Sequence, residues 1–447
     1  MIELTKDYIE NVKLLIAGHD DEQLRSLLDN LHPADIAEIY QELEADEITL
    51  LYPLMDEDKA ADVLMELDEE DRHRLLKELP PELIAKRFVD NLETDDAVDL
   101  IRELDEDTQG EVLSHIEDAE QAGDIVDLLK YDEDTAGGLM GTEMIVVNEN
   151  WSMPQCIEEM RRQAEEIEEI HYVYVVDDDE RLLGVLPLQR LITNPSVSKI
   201  KHVMKKDPVV VHDSDSIEEV VQAIEKYDLV ALPVVDSIGR LVGRITIDDV
   251  MDEVREQHER DYQLASGISQ DVETSDNVFL QTAARLPWLL IGMIGGISNS
   301  MILGSFESAI AANPKMALFI PLIGGTGGNV GIQSSAIVVQ GLANKSLKQD
   351  NIWAQVAKET LVSLINAGII SLVVFAYNFF TLGDRTITAS VSLSLFAVVM
   401  FASMFGTLVP MTLERLKIDP ALATGPFITI TNDIIGMMIY MYITSAL

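Results

Sequence analysis

Five apolar runs follow one another after Arg285, and no other feature restricts the fold of this chain so strongly. They lie near residues 286–306, 317–340, 356–380, 391–413 and 421–446. At about 1.5 Å per residue, each is long enough to cross about 30 Å of hydrocarbon. Five such runs, almost free of charge, exceed what the buried helices of a water-soluble protein use. Residues 285–447 are therefore expected to form an all-α membrane domain of five helices in a lipid bilayer.

Charge divides the chain at the same place. Residues 286–447 hold seven Lys/Arg and seven Asp/Glu, which cancel. The first 285 residues hold 25 basic and 72 acidic side chains, so the whole net charge of −47 belongs to them. A surface that acidic repels nucleic acid and attracts cations, although acidity also serves plain solubility. The one cysteine, Cys156, excludes an intrachain disulfide and a Cys/His metal cluster, which suits a reducing cytoplasm. The first 18 residues carry Glu3, Lys6, Asp7, Glu10 and Lys13 and lack the apolar core of a signal peptide. With the acidic half inside, inner flanks hold Arg285, Lys345, Lys348, Lys358, Arg415 and Lys417, and outer loops hold Lys315 and Arg385. That bias predicts a plasma-membrane protein with a cytoplasmic N-terminal half and, after five spans, Leu447 outside.

Two polar features stand out in the apolar half. Asp433 lies about 12 residues into the last run, so near the bilayer centre, and reads as the one acid deep inside a span. A carboxylate there costs several kcal/mol unless water, a cation or a partner meets it. Thr429 is one turn earlier, Asn432 is adjacent, and Pro426 is expected to free a helical carbonyl. The second run contains Gly324, Gly325, Gly327, Gly328 and Gly331, interleaved with Thr326, Asn329, Gln333 and Ser334. Glycines permit close helix packing, or let carbonyls line a path. Packing alone does not explain the polar companions. One Asp among neutral oxygens suits a hydrated Mg²⁺. The absence of His and Cys from these runs argues against Zn²⁺, while Mn²⁺ and Co²⁺ stay open.

The acidic half has two kinds of repeat. Residues 145–157 run parallel to 209–217, Tyr174-Val-Val-Asp177 to Pro233-Val-Val-Asp236, and Leu183-Gly-Val185 to Val242-Gly-Arg244. Each copy reads strand, helix, strand, turn, strand, helix, an order similar to a CBS motif. Such pairs are regulatory modules that commonly bind adenine nucleotides such as ATP and mediate dimerisation. Upstream, residues 31–37, 55–61 and 79–85 recur with a period of 24, which predicts an all-α superhelix. Downstream, Asp249, Asp252 or Glu253, and Glu256 recur on one helical face. Like charges at that spacing weaken a helix unless a cation, a salt bridge or solvent relieves them.

Taken together, the chain resembles the MgtE family of magnesium channels along essentially its full length. The resemblance rests on the junction Tyr131-Asp-Glu-Asp-Thr-Ala-Gly-Gly-Leu-Met140, the domain order, the run Gly324-Gly-Thr-Gly-Gly-Asn-Val-Gly-Ile-Gln333, and Asp419-Pro-Ala-Leu-Ala-Thr-Gly-Pro-Phe-Ile-Thr-Ile-Thr-Asn-Asp433. It implies a helical domain (1–130), a CBS pair (131–252), a connecting plug helix (253–284) and a five-helix membrane domain (285–447). It implies a homodimer in which Asp433 meets hydrated Mg²⁺, helped by Thr429, Asn329 and carbonyls around Gly325 and Gly328. It also implies closure by cytosolic Mg²⁺ at acidic interfaces, with Asp248, Asp249, Asp252, Glu253, Glu256 and Glu259 as matching candidates. Asp419 joins them from the membrane side. Ile332 stands where that family often has a second Asn, and Arg260 where another acid is expected. No P-loop and no nucleophile–base set is visible, so neither a pump nor an enzyme is expected. The competing readings are a Co²⁺ or Mn²⁺ transporter and a non-transporting CBS sensor.

Overall fold

A computed structural model describes the chain apart from residues 1–4, 44, 78, 165, 166, 168, 169, 196, 271, 273–276, 344–351, 382 and 424. It forms two compact units, Met1–Val254 and Arg255–Leu447.

The first unit opens with short helices whose starts keep the repeat of the sequence. Pro33–Tyr40, Glu57–Met65 and Pro81–Arg87 begin 24 residues apart. Pro33 and Pro81 take the first helical position, where a missing N–H costs nothing. Asp56 opens the middle helix by accepting the Lys59 N–H at 2.9 Å. Ile36, Ile39, Tyr40, Leu64, Ile84, Phe88, Leu100 and Ile101 bury the inner faces of this stack. Two small sheets follow. The first joins β1 (Ile145–Asn148), β2 (Val173–Val176), β3 (Leu182–Leu186) and β4 (Lys205–Lys206); the second joins β5 (Val211–His212), β6 (Ala231–Val235) and β7 (Leu241–Thr246). In each, the first pairing is parallel and the second antiparallel, so the repeat read from the sequence is a structural duplication. The junction motif precedes β1 and packs against the half of the pair that holds β5 to β7. Gly137 donates to the Asp213 carbonyl at 2.8 Å, and a Cβ there would meet the Tyr131 ring, which only glycine avoids.

Helix α1 (Ile247–Ala265) begins in the first unit and ends in the second. The predicted plug helix over 253–284 is not one helix. It stops at Ala265, Gly267 takes a left-handed φ of 81°, and Asn277 caps a new helix by accepting the Phe279 and Leu280 N–H groups at 3.0 Å. That new helix, α2 (Val278–Ser305), starts eight residues before the first apolar run, because polar Gln281, Thr282 and Arg285 extend it.

Four more long helices complete the second unit: α3 (Ile320–Ala343), α4 (Ile352–Thr381), α5 (Arg385–Arg415) and α6 (Pro426–Ala446). Among the described residues, four helices are long and apolar enough to cross a membrane, namely α2, α4, α5 and α6. The glycine-rich α3 is as long as a span but less apolar. Helix α5 is central and packs on α3, α4 and α6, whereas α2 rests on α6. Leu289, Met293, Leu361, Leu372 and Val373 point outward from α2 and α4, an apolar surface suited to lipid.

The glycines of α3 are contact points. The backbone of Gly331 lies against Gly406 of α5, and a Cβ on Gly331 would run into the Asn432 amide and come within 2.6 Å of Ile428 Cγ2. Gly331→Ala is therefore expected to lower the melting temperature of the detergent-purified protein, overpacking costing about 1–3 kcal/mol or more. Gly368→Ala, in open space on α4, should leave it unchanged or slightly higher. Equal melting of both variants would show that α3 does not need this close approach.

Candidate functional site

In the second unit, α3 and α6 bring an acid to a glycine backbone. Asp433 is half-buried, and a Cβ built on Gly324 or Gly328 would lie 3.5 or 3.8 Å from its Oδ1. Thr429, one turn earlier on α6, brings its Cγ2 methyl to 3.3 Å from the same point on Gly328. Its hydroxyl donates to the Gly425 carbonyl at 2.9 Å, which leaves the oxygen lone pairs available. Gly325 and Asn329 are exposed on α3 and in one copy do not face inward with them; Pro321 and Gln333 continue the same exposed stripe. Three expectations need correction. Pro426 starts α6 after a Gly425 N-cap with φ 53°, so it does not interrupt a helix or free a carbonyl. Asp433 is accordingly the eighth residue of a 21-residue helix, about a third of the way along it and not central. Nor is it the one acid within the helices: Glu359 of α4 is 8% exposed and accepts hydrogen bonds from Ser334 (2.8 Å) and Ser403 (2.6 Å).

In the first unit, carboxylates converge where the helical stack meets the sheets. Oxygens of Glu93, Asp95 and Glu143 lie within 4.8 Å of one another. Glu143 caps the helix Thr94–Arg102, accepting the Thr94 N–H at 2.8 Å and its hydroxyl at 3.1 Å. Arg244 pairs with Glu93 at 2.7 Å. Gly141 gives the group room, since a Cβ there would come within 2.7 Å of Asp95 Oδ2. Burial, then the neighbouring charge of Asp249, raises Asp95 well above the usual carboxylate range. The same causes raise Asp96 to about 7. Asp249 is raised too, chiefly by burial, against the lowering effect of its Thr246 hydrogen bonds. Crowded carboxylates with raised affinity for protons are also a set of hard oxygen donors for a divalent cation.

Of the acids expected from the sequence, Asp249 alone faces this cluster. Asp248, Asp252, Glu256 and Glu259 are exposed along α1, and Glu253 is half-buried. Asp419 is exposed, with Oδ1 accepting the Ala421 N–H at 2.7 Å. Near it stands Asp261, raised by burial first and by Asp419 second. Glu93, Asp95 and Glu143 escaped the sequence reading. In so acidic a chain, Glu93-Thr-Asp95-Asp96 looks like any helix start, and only folding adds Glu143 from 50 residues away. A shallow cleft next to the cluster is lined by Glu143, His171, Tyr172 and Arg244.

The chain matches known families along most of its length. Residues 31–134 match the MgtE intracellular N domain, 136–196 and 200–256 the CBS domain, and 320–443 the MgtE divalent cation transporter family. The magnesium transporter MgtE of Enterococcus faecalis is 34% identical over 441 residues, 98% of this chain and 97% of that one. The magnesium transporter MgtE of Thermus thermophilus is 32% identical over 436 residues, 96% of each chain. The soluble part of a magnesium transporter superposes with a TM-score of 0.51 at 31% identity, covering 56% of this chain and 97% of that one. The cytosolic domain of the Mg²⁺ channel MgtE in complex with ATP gives 0.52 at 33% identity, covering 55% and 99%.

Proposed function

The chain belongs to the MgtE family of magnesium transporters, and from that membership we propose that its second unit conducts Mg²⁺ while Mg²⁺ bound to its first unit closes the path. One observation carries the reading. An acid, Asp433, sits beside the side-chain-free backbone of Gly324 and Gly328, with Thr429 one turn away. A carboxylate among neutral oxygens holds a hydrated Mg²⁺ through its waters without stripping them. Gly325 and Asn329 complete the path from the exposed stripe of α3, which a second copy covers in a homodimer. The five helices α2 to α6 then span a plasma membrane with residues 1–130, 131–252 and the connecting α1 in the cytoplasm and Leu447 outside, as the flanking Lys and Arg favour.

Feedback follows from electrostatics. Glu93, Asp95, Glu143 and Asp249 repel one another at the junction of the helical stack and the sheets. A bound Mg²⁺ offsets that repulsion and compacts the junction. Asp248, Asp252, Glu253, Glu256 and Glu259 extend the acidic surface along α1, and Asp419 with Asp261 forms a further pair. Mg²⁺ favours closure to the extent that it binds the closed form more tightly than the open one. An adenine nucleotide such as ATP would bind to the CBS pair of residues 131–252.

Flux into liposomes containing the purified protein tests both halves. With Mg²⁺ on the cytosolic side near zero, Mg²⁺ should enter, and entry should stop as that concentration rises to about 10 mM. Flux without closure would remove the feedback. Flux of Mn²⁺ or Co²⁺ in place of Mg²⁺ would favour a broader divalent transporter.

A further inference from the structure

The glycine-rich helix α3 buries Ile323 and Val338 but meets its neighbours largely through glycine. It meets α5 through Gly327, where a Cβ would sit 3.0 Å from Val398 Cγ1, and through the Gly331–Gly406 backbone contact. Contacts between glycine faces are close but smooth. They resist separation and offer little resistance to sliding or turning. Yet the register of α3 decides whether Gly324 and Gly328 stand beside Asp433.

One turn beyond Gly331, on the same face, the smooth contact ends in a directional one. Ser334 Oγ donates to Glu359 Oε1 of α4 at 2.8 Å and lies 2.9 Å from Ser403 Oγ of α5. Ser403 donates to the same carboxylate oxygen at 2.6 Å. Ser363 Oγ stands 2.7 Å from the Glu359 carbonyl and 2.6 Å from Ser403 Oγ. All four residues are buried. Neighbouring Lys358 is exposed, and among the described residues no ion pair reaches Glu359. Three helices therefore share one acceptor. Hydrogen bonds of this kind fix distance and angle, which apolar packing does not. A buried acid is a costly way to join helices when apolar side chains pack at least as well, so its presence asks for a role in specificity of arrangement.

We infer that Glu359 is a positioning residue of the ion pathway: through Ser334 and Ser403 it clamps α3 against α4 and α5, and so holds the Gly324 and Gly328 backbone opposite Asp433. The inference rests on the reading of Asp433 as a pathway residue. A shift of α3 by about 1 Å is enough to loosen a site built on rigid geometry.

The test is flux in liposomes for full-length Glu359→Ala, Glu359→Gln, Ser334→Ala and Ser403→Ala, read as maximal Mg²⁺ flux and as the Mg²⁺-to-Ca²⁺ flux ratio. Melting in detergent is followed in parallel. Glu359→Ala should lower maximal flux at least tenfold and bring the ratio towards one. Glu359→Gln keeps the acceptor oxygen and should stay within about threefold of the parent in both. Each serine variant should move the ratio in the direction of Glu359→Ala. Adding Ser334→Ala to Glu359→Ala should cost nothing more, since the bond is already gone. A Glu359→Gln as impaired as Glu359→Ala would assign the role to charge and overturn the clamp. So would an unchanged ratio in both folded serine variants, which carry the test if Glu359→Ala fails to fold. A parent protein with no flux for any ion would instead sink the pathway reading itself, and the clamp with it.

Discussion

Replacing Asp433 by Ala should abolish Mg²⁺ flux while the first unit stays folded. At an effective dielectric of about 20, a divalent ion about 5 Å from one carboxylate gains about 7 kcal/mol of attraction. Solvation and retained waters offset much of this. If about 3 kcal/mol survives, loss of the charge lowers occupancy of the site by more than a hundredfold. Asp433→Asn keeps the shape and loses the charge, so it should fail as completely as Asp433→Ala. Asp433→Glu keeps the charge on a longer arm against Gly324 and Gly328 and should retain part of the flux. The side chain packs against glycine backbone and makes no ion pair among the described residues, so its removal leaves no partner stranded. Melting of the detergent-purified variants and an elution volume equal to the parent's would confirm that folding is intact. Normal flux in Asp433→Ala would remove it from the ion path.

What the sequence revealed and what it hid follow one division. Periodic and local signals were legible. The apolar runs locate the long helices, the 24-residue repeat locates helix starts, and the internal repeat becomes two sheets of the same pairing. Asp433 was legible because a lone acid in an apolar run has almost no solvated alternative. Positions set by what happens between elements were not. Helix α2 begins at Val278 because an Asn277 cap, not hydropathy, fixes its start. Pro426 reads as a breaker until Gly425 is seen to turn the chain just before it. Glu359 follows Lys358 at the edge of its apolar run, and the sequence reading passed over it. Only the packing of α3 and α5 shows that one side chain faces inward while the other does not. The cluster of Glu93, Asp95 and Glu143 gathers residues 50 positions apart in a region where acids are the commonest background.

That cluster also gives the pH dependence its sign. Asp95 and Asp96 have folded-state pKa values above the ordinary carboxylate value, Asp96 at about 7, because burial and facing acids disfavour the charge. A raised carboxylate pKa means the folded unit binds protons more tightly than the unfolded chain. Its stability without metal is therefore highest below about pH 4 for these groups and falls as pH rises through about 7. The groups that face one another are Glu93, Asp95, Asp96, Glu143 and Asp249, with Arg244 and Arg72 as the opposing charges. The expected loss between pH 5.5 and pH 8 is a few kcal/mol, or about 5–10 °C in the first unfolding transition of the full-length protein. Millimolar Mg²⁺ should restore most of it at pH 8 by binding the folded form, and little at pH 5.5, where protons already neutralise the acids. Asp95→Asn should flatten both responses: it removes the most perturbed charge, raising metal-free stability at pH 8 and weakening the Mg²⁺ gain. A metal-free transition that rises with pH, or an undiminished Mg²⁺ gain in Asp95→Asn, would mean that the junction of the helical stack and the sheets is not where Mg²⁺ is sensed, and the acids along α1 would take its place.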